Sequence, residues 1–306
     1  MKPRPPTFAN KQLDDSDPDG HAQPAMPVQL DTLRHHDAYK AHARWWLPER
    51  PRGAVLYLHG IQSHGGWYEG SAAALAQAGL AVLMPDRRGC GLNRVQRGHA
   101  ESPRQMLSDV DDLVRAVCER SGCDRAHLVG VSWGGKLIAA AAANGAERIA
   151  SLTLIVPGIY PRVDLPFSEK MRVAWSLVSE PLRRFSIPLD DARLFTSNPE
   201  RIAFVEQDAH RLKQVTGAFL LASRRLDRKA RELRASPWRG PVHLLLAEHD
   251  RIIENDRTRD WFARLPEGDH RKMEYAGAHH TLEFEPDPEP MRRDVCEWIL
   301  SRESDR

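Results

Sequence analysis

Ala126-His127-Leu128-Val129-Gly130-Val131-Ser132-Trp133-Gly134-Gly135-Lys136-Leu137 reads as an apolar run, then G-x-S-x-G, then the start of an alanine-rich helix. A strand that becomes a helix within so few residues holds the serine in a strained backbone conformation, and only small residues two before and two after it escape collision. Gly130 and Gly134 occupy those positions. The same turn sets Ser132 at a helix start, where free N–H groups and the helix dipole favour negative charge developing on a substrate oxygen. The N–H of Trp133 is then one donor to that oxygen. A pattern with three fixed positions also arises by chance, but the strand before this one and the helix after it set it apart from a mere turn. A hydroxyl is a poor nucleophile without a base, so a histidine and an acid are expected later in the chain.

Outward from this turn, short runs rich in branched residues alternate with longer helical patterns, the mark of a mostly parallel sheet covered on both faces. The runs are Ala54 to Leu58, Leu80 to Met84, Ala126 to Val131, Leu152 to Val156 and Val242 to Ala247, with Lys272 to Tyr275 as a shorter last strand. Leu30 to Trp46 adds one or two strands at the near edge. Ser71 to Ala78, Pro103 to Arg120 and Lys136 to Ala143 are the crossover helices. Between two strands of this sheet, Pro161 to Trp238 breaks the alternation with a helical pattern and no convincing strand. It reads as an inserted cap. Ile202, Val205, Ala209, Leu212 and Phe219 recur there at helical spacing, as do Met171, Ala174, Trp175 and Val178. Both faces are expected to pack the cap onto the core, with contact to lipid or an acyl chain as the alternative. The chain thus divides into a flexible arm over 1–27, a core over 28–160 and 239–306, and the cap over 161–238.

The acid and the base are expected at the carboxyl ends of later strands. Val242 to Ala247 runs into Glu248-His249-Asp250-Arg251. Asp250 is preferred, because a residue beyond the strand end can bend back toward a histidine; Glu248 is its competitor. With 14 histidines in the chain, a single one carries little information. Ala276-Gly277-Ala278-His279-His280-Thr281-Leu282 stands out because it follows the last strand in a small-residue loop. Either His279 or His280 can reach the site, and only one of two adjacent side chains can point inward. A second oxyanion donor is the N–H of Ile61, in the glycine-containing loop His59-Gly60-Ile61-Gln62-Ser63-His64-Gly65-Gly66. His59, directly before Gly60, is read as a brace for that loop.

Composition sets the outer limits. The 44 basic and 42 acidic residues leave a net charge of +2, so nothing favours nucleic acid or an anionic membrane surface as a partner. At 306 residues with 41% apolar content, a globular protein with a sizeable core is expected. The four cysteines form no C-x-x-C pair, which fits a reduced, cytoplasmic setting. The first residues lead into Pro and Asp where a secretory apolar region would lie, and no apolar run approaches the roughly 18 residues that cross a bilayer. Gly89-Cys90-Gly91 lacks the third glycine of a dinucleotide fingerprint, Cys90 has no evident base partner, and no cluster has zinc-ligand spacing.

Four separated segments now agree. His59-Gly60 with its loop, Asp86-Arg87-Arg88-Gly89-Cys90-Gly91, Gly130-Val131-Ser132-Trp133-Gly134 and Gly277-Ala278-His279-His280-Thr281-Leu282-Glu283-Phe284-Glu285 give the chain a pattern that resembles the α/β-hydrolase superfamily. Within it the chain is most similar to monoacylglycerol lipase and lysophospholipase-like serine hydrolases of the serine aminopeptidase S33 type. The resemblance implies an α/β-hydrolase fold of about eight mostly parallel strands, with a helical cap between the sixth and seventh. It implies a Ser132, Asp250, His280 triad, because the family's G-x-x-H-x-L-x-x-E segment lands the base on His280. Oxyanion N–H groups at Ile61 and Trp133 and no cofactor or metal follow. The implied substrate is a small ester, such as a monoacylglycerol or lysophospholipid, with peripheral lipid contact through the cap. Thioesterase, acyltransferase or amidase and peptidase chemistry on the same triad is the alternative, and a non-catalytic binding protein the more distant one. The family often carries serine where Asn93 stands, and the Ile61-Gln62-Ser63-His64 loop departs from its usual small-residue form with glutamate. The H-G-G-P-G loop of proline iminopeptidases is absent.

Overall fold

The structure is a computed structural model that describes residues 26–303. Apart from its last two positions, the expected arm lies outside the described residues; Met26 is already partly buried against the core.

The chain runs β1 (Gln29–Arg34), β2 (Lys40–Trp46), β3 (Gly53–Leu58), α1 (Glu69–Gln77), β4 (Leu80–Pro85), α2 (Pro103–Ser121), β5 (Ala126–Val131), α3 (Trp133–Ala143) and β6 (Ile149–Ile155). It continues through α4 (Phe167–Ser179), β7 (Arg184–Ser186), α5 (Pro199–Gln207), β8 (Gln214–Thr216), α6 (Gly217–Glu232), β9 (Val242–Ala247), α7 (Asn255–Phe262), β10 (His270–Tyr275) and α8 (Glu289–Leu300). Eight strands form one sheet in the order β1-β2-β4-β3-β5-β6-β9-β10. β1 pairs antiparallel with β2, and β2 with β4; every later pairing is parallel. Every residue of β3, β4, β5 and β9 is buried, as expected of strands with helices on both faces. That double burial is why they read as unbroken apolar runs.

The crossover helices carry their own boundaries. α2 starts where the Ser102 hydroxyl accepts the N–H of Gln105 with Pro103 in the first turn, and ends at Gly122, whose φ of 73° suits a residue without Cβ. Its buried stripe includes Met106, Val110, Leu113, Val114 and Val117, spaced three and four apart. α3 is almost wholly buried, and its alanines let it lie between the sheet and α6.

The inserted stretch between β6 and β9 differs from its expectation in two ways. It contains β7 and β8, which pair antiparallel as a separate ribbon. Three-residue strands are too short to display a period of two, and their partners are distant in sequence. The second difference is the face of α4. Val173 and Ser176 are buried, while Met171, Trp175 and Val178 stand 55%, 73% and 87% exposed, and Ala174 is exposed at the border of a cavity. α4 has apolar residues on two sides, so periodicity alone could not tell which side faces inward. In the rest of the insertion, Val205, Leu212 and Phe219 do join the core and Ile202 packs against it, while Ala209 is exposed in the turn after α5, which ends at Gln207 and breaks the expected helical run. Among the described residues no helix is long and apolar enough to cross a membrane.

Candidate active site

β5 delivers Ser132 at its carboxyl end with φ 54° and ψ −114°, a left-handed φ that a non-glycine residue adopts at a cost of about 1–3 kcal/mol. The neighbouring turns over-determine it. The Ser132 N–H donates to the Ile155 carbonyl at 2.8 Å, and the Ser132 carbonyl accepts from Gly158 at 2.8 Å and Lys136 at 3.2 Å. A Cβ on Gly130 would sit 2.6 Å from the Gly134 carbonyl carbon, and one on Gly134 would sit 2.3 Å from the Leu58 carbonyl oxygen. Neither position can accept a side chain without moving the backbone.

β9 and the loop after β10 bring two further groups to this point. Ser132 Oγ lies 2.9 Å from His280 Nε2, and His280 Nδ1 lies 2.7 Å from Asp250 Oδ2. A carboxylate only accepts, so Nδ1 carries the proton and the neutral ring offers Nε2 as acceptor to the serine hydroxyl. The other Asp250 oxygen accepts the N–H groups of Ile252 at 2.8 Å and Ile253 at 3.0 Å, which aims the carboxylate. Asp250 and His280 are buried. The two competitors lie elsewhere: Glu248 is exposed and accepts the N–H of Gly277, while His279 sits beside Ser197 and Glu285. Glu285 also accepts the N–H of His279 at 2.7 Å, so the final segment's glutamate braces the loop that carries the imidazole.

The loop after β3 crosses directly over the serine. A Cβ on Gly60 would lie 3.5 Å from that of Ser132, an ordinary contact, so the loop passes within van der Waals reach of the serine without requiring glycine there. Ile61, Ser132 and Trp133 line one cavity. Trp133 opens α3, and its N–H has no partner one turn earlier. His59 is fully buried and braces this loop: its Nδ1–H donates to the Gly60 carbonyl and its Nε2 accepts the N–H of Arg87. Burial, with Arg87 beside it, drives its pKa well below the ordinary value, and both ring nitrogens are already committed to the loop.

Several supporting residues carried no assigned role in the sequence. The buried Arg87 guanidinium donates to the carbonyls of His59 and Gly60 and stacks 4.2 Å over the Trp133 ring. Asp86 gathers Arg44 and the N–H groups of Gly65 and Leu92. Burial pushes its carboxyl upward, but Arg44 and those donors bring it below its ordinary value. Asn93, at the position where serine is usual, donates to the Asp86 and Arg87 carbonyls and accepts from His42, so it pins the same turn. The available signal was an acid and two arginines directly after an apolar strand. Gln62 accepts from Arg211 in the insertion at 2.9 Å, a contact no local pattern announces.

The cavity measures about 390 Å³ and is walled largely by aliphatic residues of α4, α6 and the loops beside Ile187 and Ile252. Cys90 is buried and burial raises its thiol, so it packs as a neutral side chain. Although no zinc-ligand spacing was visible, folding gathers His35, Asp109 and Asp112 within 4.8 Å. Arg88 already holds both oxygens of Asp109, at 2.6 and 2.8 Å, and the group reads as an ion-pair network.

Comparison with known proteins gives a consistent picture. The family described as serine aminopeptidase, S33, matches residues 49–287. A monoacylglycerol lipase of Mycolicibacterium smegmatis is 26% identical over 264 residues, covering 84% of this chain and 91% of the relative. The monoacylglycerol lipase of Paleococcus ferrophilus superposes with a TM-score of 0.77 at 23% identity, over 86% of this chain and all (100%) of that one. A soluble variant of monoglyceride lipase from Saccharomyces cerevisiae, solved in complex with a substrate analog, gives 0.78 at 18% identity over 93% and 98%. The likeness to solved structures establishes the α/β-hydrolase fold.

Proposed function

Since the chain belongs to the serine aminopeptidase S33 family and is a monoacylglycerol-lipase-like ester hydrolase, we propose that it cleaves a small carboxylic ester through an acyl-enzyme on Ser132. The single observation that carries this reading is the bonded series from Ser132 through His280 to Asp250, at 2.9 and 2.7 Å, opening on an apolar cavity. Ser132 Oγ attacks the ester carbonyl carbon while His280 Nε2 takes its proton. Asp250 holds the ring and offsets the charge of the imidazolium. The tetrahedral oxyanion accepts from the N–H groups of Ile61 and Trp133; removing one such donor typically costs about 3 kcal/mol, a hundredfold or more in rate. The carbon–oxygen bond to the alcohol breaks, and His280 returns the proton to that oxygen. Water then repeats the sequence: its oxygen bonds to the acyl carbon while His280 takes its proton, the bond from that carbon to Ser132 Oγ breaks to release the carboxylic acid, and His280 returns the proton to the serine. No step calls for a cofactor.

The aliphatic wall suits a single acyl chain, so monoacylglycerols and lysophospholipids are the leading substrate classes. Residues 161–238 act as a cap over a core formed by 28–160 and 239–306, since α4 and α6 supply much of that wall. Four free cysteines are in keeping with a reduced, cytoplasmic setting. An amidase or peptidase reaction on the same three residues is the second reading, favoured by the family's description as an aminopeptidase. Turnover of p-nitrophenyl esters of graded chain length, beside amino-acid amides, tests both. Ser132→Ala is expected to lose ester turnover by about a thousandfold or more and to lose fluorophosphonate labelling. Retention of turnover in that variant would sink the mechanism.

A further inference from the structure

The mostly aliphatic cavity beside Ser132 has charged residues at its exposed border, where Lys170 pairs with Asp164 and Arg224 stands beside Asp227, and one buried polar cluster deeper in its wall. Lys136 on α3, Ser223 and Asp227 on α6 all line it and are all at least nine-tenths buried. The Lys136 ammonium meets Asp227 Oδ1 at 2.6 Å and Ser223 Oγ at 2.9 Å, and the Trp133 indole N–H donates to the same Ser223 oxygen at 2.9 Å. An ammonium has three protons, and two are engaged here. Its third faces no hydrogen-bond acceptor among the described residues; the Trp133 ring centre is 5.5 Å from Nζ. Both partners of Ser223 can only donate, so its own hydroxyl proton goes to neither of them. A mere tie between α3 and α6 would not need this arrangement, because an apolar pair of similar volume is often as stable as a buried ion pair or more so. Burial lowers the Lys136 ammonium below its ordinary pKa, so the charge is kept there against a cost.

We propose that Lys136, Ser223 and Asp227 form a polar subsite that receives an uncharged oxygen substituent, a hydroxyl, keto or ether group, carried by the ester substrate. The inference rests on the ester-hydrolase reading above and names the substrate class more narrowly. The cluster has two donors to spare, on Lys136 and Ser223, and Asp227 Oδ2, 3.7 Å from Arg224 Nη1, keeps acceptor capacity, so a hydroxyl engages both kinds of site and a keto or ether oxygen the donors alone. A carboxylate would meet the charge of Asp227 and an ammonium those of Lys136 and, at the border, Arg224, so a neutral oxygen is the group that none of them repels. Lys136 lies four residues beyond Ser132 in α3, about 6 Å along the helix axis, which places the substituent several bonds from the scissile carbonyl. The oxygen can belong to the acyl chain or to the alcohol.

Two substrate series distinguish these sources. In the first, p-nitrophenyl octanoate is compared with p-nitrophenyl oxo-octanoates whose keto group is moved along the chain. In the second, octyl acetate is compared with hydroxyoctyl acetates. The protein is expected to favour at least one oxygenated member of one series by about tenfold or more in kcat/KM, the range of a hydrogen bond involving a charged group. The series that shows the preference identifies which part of the ester occupies the subsite. Lys136→Met/Asp227→Leu, which removes both charges together, should bring that ratio toward one. Ser223→Ala, which leaves the ion pair in place, should lower it too and decides the matter if the double variant does not fold. Equal rates across both series, or a preference that survives in the variants, would overturn the subsite alone. Hydrolysis of neither series would overturn the ester-hydrolase reading and the subsite with it.

Discussion

The inserted segment has two halves that meet the core in different ways. From Leu189 to Thr216 it is tied down by directional bonds. Asp208 accepts from His64 at 3.1 Å and from the Trp67 indole at 2.8 Å. Arg211 and the N–H of Leu212 both donate to Gln62, and the N–H of Thr216 donates to the Gly98 carbonyl. The N–H of Thr281, next to His280, donates to the Phe195 carbonyl. The α4 half is different. Among the described residues, no hydrogen bond or ion pair from 163–182 reaches the sheet core, and α4 touches the cavity through Val173, Ala174 and Leu177. Apolar contact is non-directional, so it fixes position less tightly than a network of charged hydrogen bonds. One half of the insertion is therefore bonded to the core, at the loop after β3 and at the loop that carries His280. The other half is a cover whose Met171, Trp175 and Val178 remain in solvent.

Substitutions on the two sides should differ accordingly. The largest loss is expected from Phe219→Ala in α6, which follows directly on the bonded half. Phe219 is 1% exposed and stacked on Trp133 at 5.5 Å, and truncating such a ring costs about 3–5 kcal/mol, read from denaturant unfolding. A loss below about 1 kcal/mol would mean that α6 is as loosely held as α4. Asp208→Asn comes next, at about 2–3 kcal/mol, because it weakens a charged acceptor shared by two donors. Activity should fall alongside if the loop after β3, on which His64 lies, supplies the proposed Ile61 donor.

The same carboxylate gives a pH test. Burial alone would raise it, but the hydrogen bonds from His64 and Trp67 hold it at about 2, below its ordinary 3.8. A folded pKa lower than the unfolded one adds stability above the unfolded value and loses it as pH falls through the folded one. The stability gap between the unsubstituted protein and Asp208→Asn should be full above about pH 4 and shrink toward pH 2. A gap that is constant over that window would remove Asp208 as the anchor. The smallest effect belongs to α4: Trp175→Ser with Val178→Ser should stay within about 0.5 kcal/mol, as for other exposed sites. A cost above about 1 kcal/mol would show that this stripe is covered in solution.

How much of this was legible follows from what each element is buried against. β3, β4, β5 and β9 are enclosed on both faces, so they had to be apolar throughout and could be found as runs. The serine turn was legible because Gly130 and Gly134 are demanded by contacts within a few residues and with the adjacent strand end. Asp250 was favoured over Glu248 by its place beyond a strand end, while the choice of His280 over His279 needed the family resemblance. The ribbon of β7 and β8, the inward face of α4 and the role of Arg87 were not legible, because each depends on partners distant in sequence.

The linear order of residues determined which segments are strands, where the nucleophile turns and which acid and histidine compete for it, since those features arise from local sterics and from burial shared along one element. Only the tertiary structure decided which histidine faces the serine, which side of α4 is dry, and that Lys136 and Asp227 meet in the cavity wall. Those outcomes depend on packing between elements whose positions are set by the sheet, and such contacts leave no periodic trace in the chain.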